Sequence, residues 1–79
     1  MEQRIKQEGG EIGRNIRRIR KEKKIGQKEL AVMLQIKGIP MTREALVKIE
    51  RGIQHISLSQ LQGIRDSLGT TYDELLRIE

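Results

Sequence analysis

An all-α fold of five short helices is predicted by three features of this 79-residue chain. Apolar residues recur at helical spacing in five separate segments, each segment has its own start and stop residues, and no stretch alternates with period two over enough residues to specify a strand. The core is small, because a chain of this length hides only about 60% of the surface its unfolded form exposes. With no cysteine, close helix packing has to supply the stability, and an oxidising compartment is not required.

Residues 1–10 are polar and end in Gly9-Gly10, which predicts a flexible N-terminal tail, with one domain over 11–79. Ile12, Ile16 and Ile19 then form the apolar stripe of a first helix from Glu11 to Lys23. Arg20, Lys21, Lys23 and Lys24 cluster at its last turn, where cations complement the negative end of the helix dipole. Gly26 serves as N-cap of a second helix with Glu29 at the third position, Leu30, Ala31 and Leu34 facing the core and Met33 at its border. Gly38 and Pro40 end that helix. Thr42 caps a third helix running to about Arg51, and Gly52 stops it. Ser57 with Gln60 is a capping box for a fourth helix, whose Leu58, Leu61, Ile64 and Leu68 point one way before Gly69 closes it. Gly63 inside that helix costs roughly 1 kcal/mol against alanine, which points to close packing at this position. Thr71 with Glu74 repeats the box and opens a fifth helix carrying Tyr72, Leu75 and Leu76 inward.

The third helix separates into two chemically different faces. Ala45, Leu46 and Ile49 lie together on a 3.6-residue period, while Arg43, Glu44, Val47, Lys48 and Arg51 occupy the other side at spacings of three and four. A forked donor, a point donor, a carboxylate acceptor and a methyl-bearing residue on one face can address guanine, cytosine and thymine edges in a major groove.

Charge and composition narrow the function classes. The net charge of +5 is unevenly placed, with 10 Lys/Arg against 4 acids over residues 1–28 and 6 against 7 over residues 29–79. Such a basic block fits phosphates, an anionic membrane surface or an acidic partner. No apolar run, that through Ala31-Val32-Met33-Leu34 included, approaches the roughly 20 residues of a membrane helix, so a soluble cytoplasmic protein is expected. Tyr72 is the one aromatic residue, which argues against single-strand binding by base stacking and leaves duplex binding open. His55 is the lone histidine and no phosphate loop or metal-ligand spacing occurs, so the chain is not expected to be an enzyme or to hold a metal or cofactor.

Four strings carry a family resemblance: Ile12-Gly13-Arg14-Asn15-Ile16-Arg17-Arg18-Ile19-Arg20, Gln27-Lys28-Glu29-Leu30-Ala31, Lys48-Ile49-Glu50-Arg51-Gly52 and Leu68-Gly69-Thr70-Thr71-Tyr72-Asp73-Glu74-Leu75-Leu76. In this order and spacing they resemble the phage repressor and Cro-like, or XRE-type, DNA-binding domain, over residues 12–76. The resemblance implies a five-helix lambda-repressor-like fold with the helix-turn-helix formed by helices two and three. It implies base contacts from Arg43, Glu44 and Lys48, with Val47 packing on a thymine methyl. Phosphate contacts are implied for Gln27 and Lys28 at the amino end of helix two, and for Arg51, Gln54 and His55 after helix three. The matched Arg20 and Glu50 are expected to form a partly buried structural ion pair. One departure stands out. Ten residues separate Ala31 from Thr42, Gly38-Ile39-Pro40 among them, so either helix two is longer or the turn is looser than the usual three or four residues; Lys37 in this stretch adds a further candidate phosphate contact.

The expected function is therefore a sequence-specific double-stranded DNA-binding transcriptional regulator, a repressor, that reads the major groove with helix three. A homodimer is expected, formed in solution or only on DNA, through helix five and the apolar residues near Ile78; no small-molecule ligand is expected. The alternative on the same fold is a protein-binding adaptor or antitoxin component.

Overall fold

The computed structural model describes residues 4–5 and 10–78. Their order is β1 (Arg4–Ile5), α1 (Glu11–Glu22), α2 (Gln27–Ile36), α3 (Arg43–Glu50), β2 (Ile56–Ser57), α4 (Leu58–Leu68) and α5 (Tyr72–Leu75). The five helices surround one core in which Ile16, Leu30, Leu34, Leu46, Ile49, Ile56, Ile64 and Leu75 are fully buried. The stripes read from the sequence supply most of it. Leu58 and Leu76 do not join it and remain 48% and 46% exposed. Leu58 is the first residue of α4 and Leu76 follows the last residue of α5, so each lies where its helix has left the core.

The caps fall where side-chain chemistry puts them. Thr42 Oγ1 accepts from the Ala45 N–H at 3.0 Å, Ser57 and Gln60 form the reciprocal box, and Thr71 Oγ1 accepts from the Glu74 N–H. Gly26 has no side chain to cap with, so α2 carries half a box, the Gly26 N–H donating to Glu29 Oε1 at 3.4 Å.

All four longer helices stop by the same device. Behind α1 the Ile25 N–H reaches back to the Arg20 carbonyl, behind α2 Ile39 reaches Leu34, behind α3 Ile53 reaches Lys48, and behind α4 Thr70 reaches Arg65, each at 3.0 Å. The residue that makes the reversal has positive φ. It is glycine in three cases and Lys24, at φ 59°, in the first. A lysine Cβ is strained there by roughly 1 kcal/mol. Lys24→Gly is therefore expected to stabilise the fold by about 0.5 to 1 kcal/mol, raising the thermal midpoint by roughly 2 to 8 °C in a chain of this size. A midpoint unchanged or lowered in calorimetry would contradict this reading of the turn.

One feature was not expected. Arg4 and Ile5, inside the stretch read as a flexible tail, pair antiparallel with Ile56 and Ser57 in register Arg4 to Ser57 and Ile5 to Ile56. Strands of two residues are too short to show a period-two pattern. Ile5 packs against the core beside the fully buried Ile56, and apolar contact of this kind is what holds so short a pair. The rest of the expected tail, residues 1–3 and 6–9, lies outside the described residues. Gly10 is the N-cap of α1, and its backbone lies against Gly52 at the end of α3.

Candidate nucleic-acid interface

The position of α3 is set by backbone contact and by one buried ion pair. A Cβ on Gly13 would strike the carbonyl oxygen of Ile49 and lie 2.8 Å from that of Glu50, so α1 and α3 meet with no side chain between them at this point. About two turns along α1, Arg20 Nε and Nη2 donate to Glu50 Oε2 and Oε1 at 2.8 and 2.9 Å. Both side chains are buried, at 8% and 2% exposure. Two further hydrogen bonds surround the pair: Arg20 Nη1 donates to the Ile25 carbonyl at 2.9 Å, and Gln27 Nε2 donates to Glu50 Oε1 at 3.1 Å. A forked guanidinium on a carboxylate fixes both distance and plane, so α1, the start of α2 and the end of α3 are locked to one another.

Gln27 thus has a partner that the sequence did not indicate. Its amide is half-buried against Glu50, with one of its two N–H donors engaged there. The neighbouring N–H groups of the first turn of α2 face a cap without a side chain, the arrangement that leaves donors open to an anion. Lys28 stands exposed on that turn.

The long connection between α2 and α3 resolves into a longer helix and a pinned turn. Helix α2 extends to Ile36, and residues 37–42 follow. Gln35 Nε2 donates to the Met41 carbonyl at 2.6 Å, Gln60 Nε2 donates to the Pro40 carbonyl at 2.9 Å, and Met41 is buried at 4% exposure. The other end of the turn is held by packing: a Cβ on Gly63 would meet Ile39 Cδ1 and lie 3.3 Å from Leu34 Cδ2, so α4 accepts the turn residue Ile39 through the missing side chain.

With the frame fixed, α3 turns Arg43, Glu44, Lys48 and Arg51 into solvent, leaves Val47 half-buried and buries Leu46 and Ile49. Arg43, Glu44, Val47 and Lys48 form one face, as their spacing requires. A groove opens between α2 and this face, lined by Lys28, Val32, Gln35, Thr42, Arg43 and Glu44. Val32 and Gln35 were not among the expected site residues. Their signal was present in the sequence: 28, 32 and 35 recur at helical spacing on the side of α2 away from Leu30 and Leu34, and Val32 is 41% exposed.

The expected phosphate contacts do not form one cluster. Gln27 and Lys28 lie at the start of α2, and Lys37 lies at its other end, about 15 Å along the axis at 1.5 Å per residue. Arg51 caps α3, and the exposed His55 with the half-buried Gln54 lies in the segment between α3 and β2. No group of acids and histidine that could hold a metal occurs among the described residues, and no described helix is long and apolar enough to cross a membrane.

A family model described as helix-turn-helix matches residues 16–75. Comparison with curated proteins and with solved structures found no match. The matched span contains the latter part of α1, all of α2, the connecting turn and α3 with its exposed face. The chain belongs to the helix-turn-helix family of XRE type, the Cro/C1-like DNA-binding regulators.

Proposed function

We propose that this regulator is a repressor that binds duplex DNA sequence-specifically by inserting α3 into the major groove. The observation that carries the reading is the Arg20–Glu50–Gln27 network, which holds α3 rigidly from its buried side while Arg43, Glu44 and Lys48 stay free to reach base edges. Arg43 and Lys48 suit guanine O6 and N7, Glu44 suits a cytosine amine and Val47 a thymine methyl. The open first turn of α2 with Lys28, and Arg51, Gln54 and His55 after α3, provide backbone contacts that set register. Lys37 is an outlying backbone contact. One such domain reads only a few base pairs, so two copies act together on half-sites about 34 Å apart, with the exposed Leu76 and Ile78 after α5 as the pairing surface. A cytoplasmic location accompanies this role.

In vitro selection of sites from random duplexes at two salt concentrations tests the reading. Arg43→Ala and Lys48→Ala are each expected to lose preference at particular bases, by about 1 to 3 kcal/mol per position. Neutralising about four phosphates per domain gives a slope of log affinity on log salt near −0.9 for each. A drop uniform over all sequences would reduce the role of these residues to phosphate contact, and a flat salt response would exclude the proposal. If both variants keep full DNA affinity, the adaptor alternative takes its place.

A further inference from the structure

The basic block of α1 is not used by the interface above. Arg14, Arg17, Arg18 and Lys21 lie on one side of α1, and with Glu11, Asn15 and, beyond α5, Arg77 they line a second cleft. That cleft shares no lining residue with the groove between α2 and α3. We propose that it is a docking site for an acidic polypeptide segment, one bearing carboxylates on successive turns or alternate residues.

Three observations support an acidic peptide. First, the cleft is built from two elements and held in shape: Asn15 Nδ2 donates to the Leu75 carbonyl at 2.9 Å and to the Arg77 carbonyl at 2.8 Å, which fastens the chain after α5 alongside α1. Second, its arginines already bind carboxylates. Glu74 spans the gap, Oε1 lying 3.6 Å from Arg18 Nη2 and Oε2 3.6 Å from Arg77 Nη1, while Glu22 lies 3.3 Å and Glu11 4.0 Å from Arg18 and Arg14. These separations exceed the 2.8 Å of the buried Arg20–Glu50 pair, and the side chains are between 30% and 67% exposed. Pairs this long and this wet exchange readily for carboxylates from another chain that reach the guanidinium forks directly. Third, no aromatic side chain lines the cleft, and Tyr72 carries Arg65 over its ring, 4.6 Å from the centroid, so nothing here stacks a base.

Hexaglutamate is the probe. Titrated into the full-length ¹⁵N-labelled protein at about 50 mM salt, where exposed charges are only partly screened, it is expected to bind saturably and to shift the resonances of Arg14, Arg17, Arg18, Lys21 and Arg77. The double reversal Arg17→Glu with Lys21→Glu changes two exposed side chains outside the ion pairs above and should weaken the peptide about tenfold, whereas Arg43→Ala should not alter its affinity. A random-sequence duplex of about 20 base pairs, added first, should leave peptide affinity within about twofold, because α3 and α1 would then serve separate partners. Displacement by the duplex would overturn the proposal and assign the cleft to the DNA backbone. Equal shifts at every cationic residue, absence of saturation, or a reversal variant that binds as tightly as the parent would also overturn it. None of these results bears on base reading by Arg43 and Lys48, which the selection experiment measures separately.

Discussion

Arg20→Ala is expected to lose about 3 to 5 kcal/mol of folding stability, a large fraction of what a domain of this size possesses. The loss comes less from the attraction removed than from what is left behind. Glu50 keeps a carboxylate at 2% exposure with the Gln27 amide still donating to it, and the Ile25 carbonyl loses its guanidinium partner. Urea unfolding should show a lower midpoint at unchanged slope, because the native surface is the same. The double variant Arg20→Met with Glu50→Leu removes both charges together and should recover most of that loss, since packed apolar side chains replace a buried pair at little cost. The two results separate a stability role from a presentation role: the double variant folds, but α3 is no longer held in plane by a bidentate contact, so its duplex affinity should stay below the parent's. An Arg20→Ala protein that melts like the parent would remove the pair from any account of this fold.

Gly13→Ala is expected to destabilise by about 2 kcal/mol or more, against the sign of helix propensity. Within an isolated helix this change would gain about 1 kcal/mol. Here the new methyl would fall on the carbonyl of Ile49 and 2.8 Å from that of Glu50, both backbone atoms at the end of α3 that cannot rotate away. The helices must separate, which stretches the Arg20–Glu50 contact lying further along the same seam. Gly63→Ala is the useful contrast. Its obstruction is the tip of the Ile39 side chain, with Leu34 Cδ2 at 3.3 Å, and side-chain tips can shift. That variant should stay within about 1 kcal/mol of the parent, because the helical gain offsets the repacking. Urea midpoints for the two alanines check the pair, and equal midpoints would mean that the α1–α3 approach is not what requires glycine at position 13.

Helix periods, caps and stops were legible in the sequence because they depend on neighbours within one or two turns. Ile12, Ile16 and Ile19 had to share a face, Thr42, Ser57 and Thr71 had to satisfy the first N–H groups of the helices they precede, and Arg43, Glu44, Val47 and Lys48 had to emerge together on α3. The Arg20–Glu50 pairing was legible in a different way, through the four strings that resemble a known domain, since the two residues are thirty positions apart and no local rule joins them. What the tertiary structure alone decided are contacts between segments distant in the chain. It seated Gly13 on the end of α3, turned Gln27 onto Glu50, closed the α2–α3 connection with Gln35, Gln60 and the pocket over Gly63, and paired Arg4–Ile5 with Ile56–Ser57. Each depends on where a distant backbone arrives to within an ångström or so, and residue type and spacing along one chain carry no such coordinate.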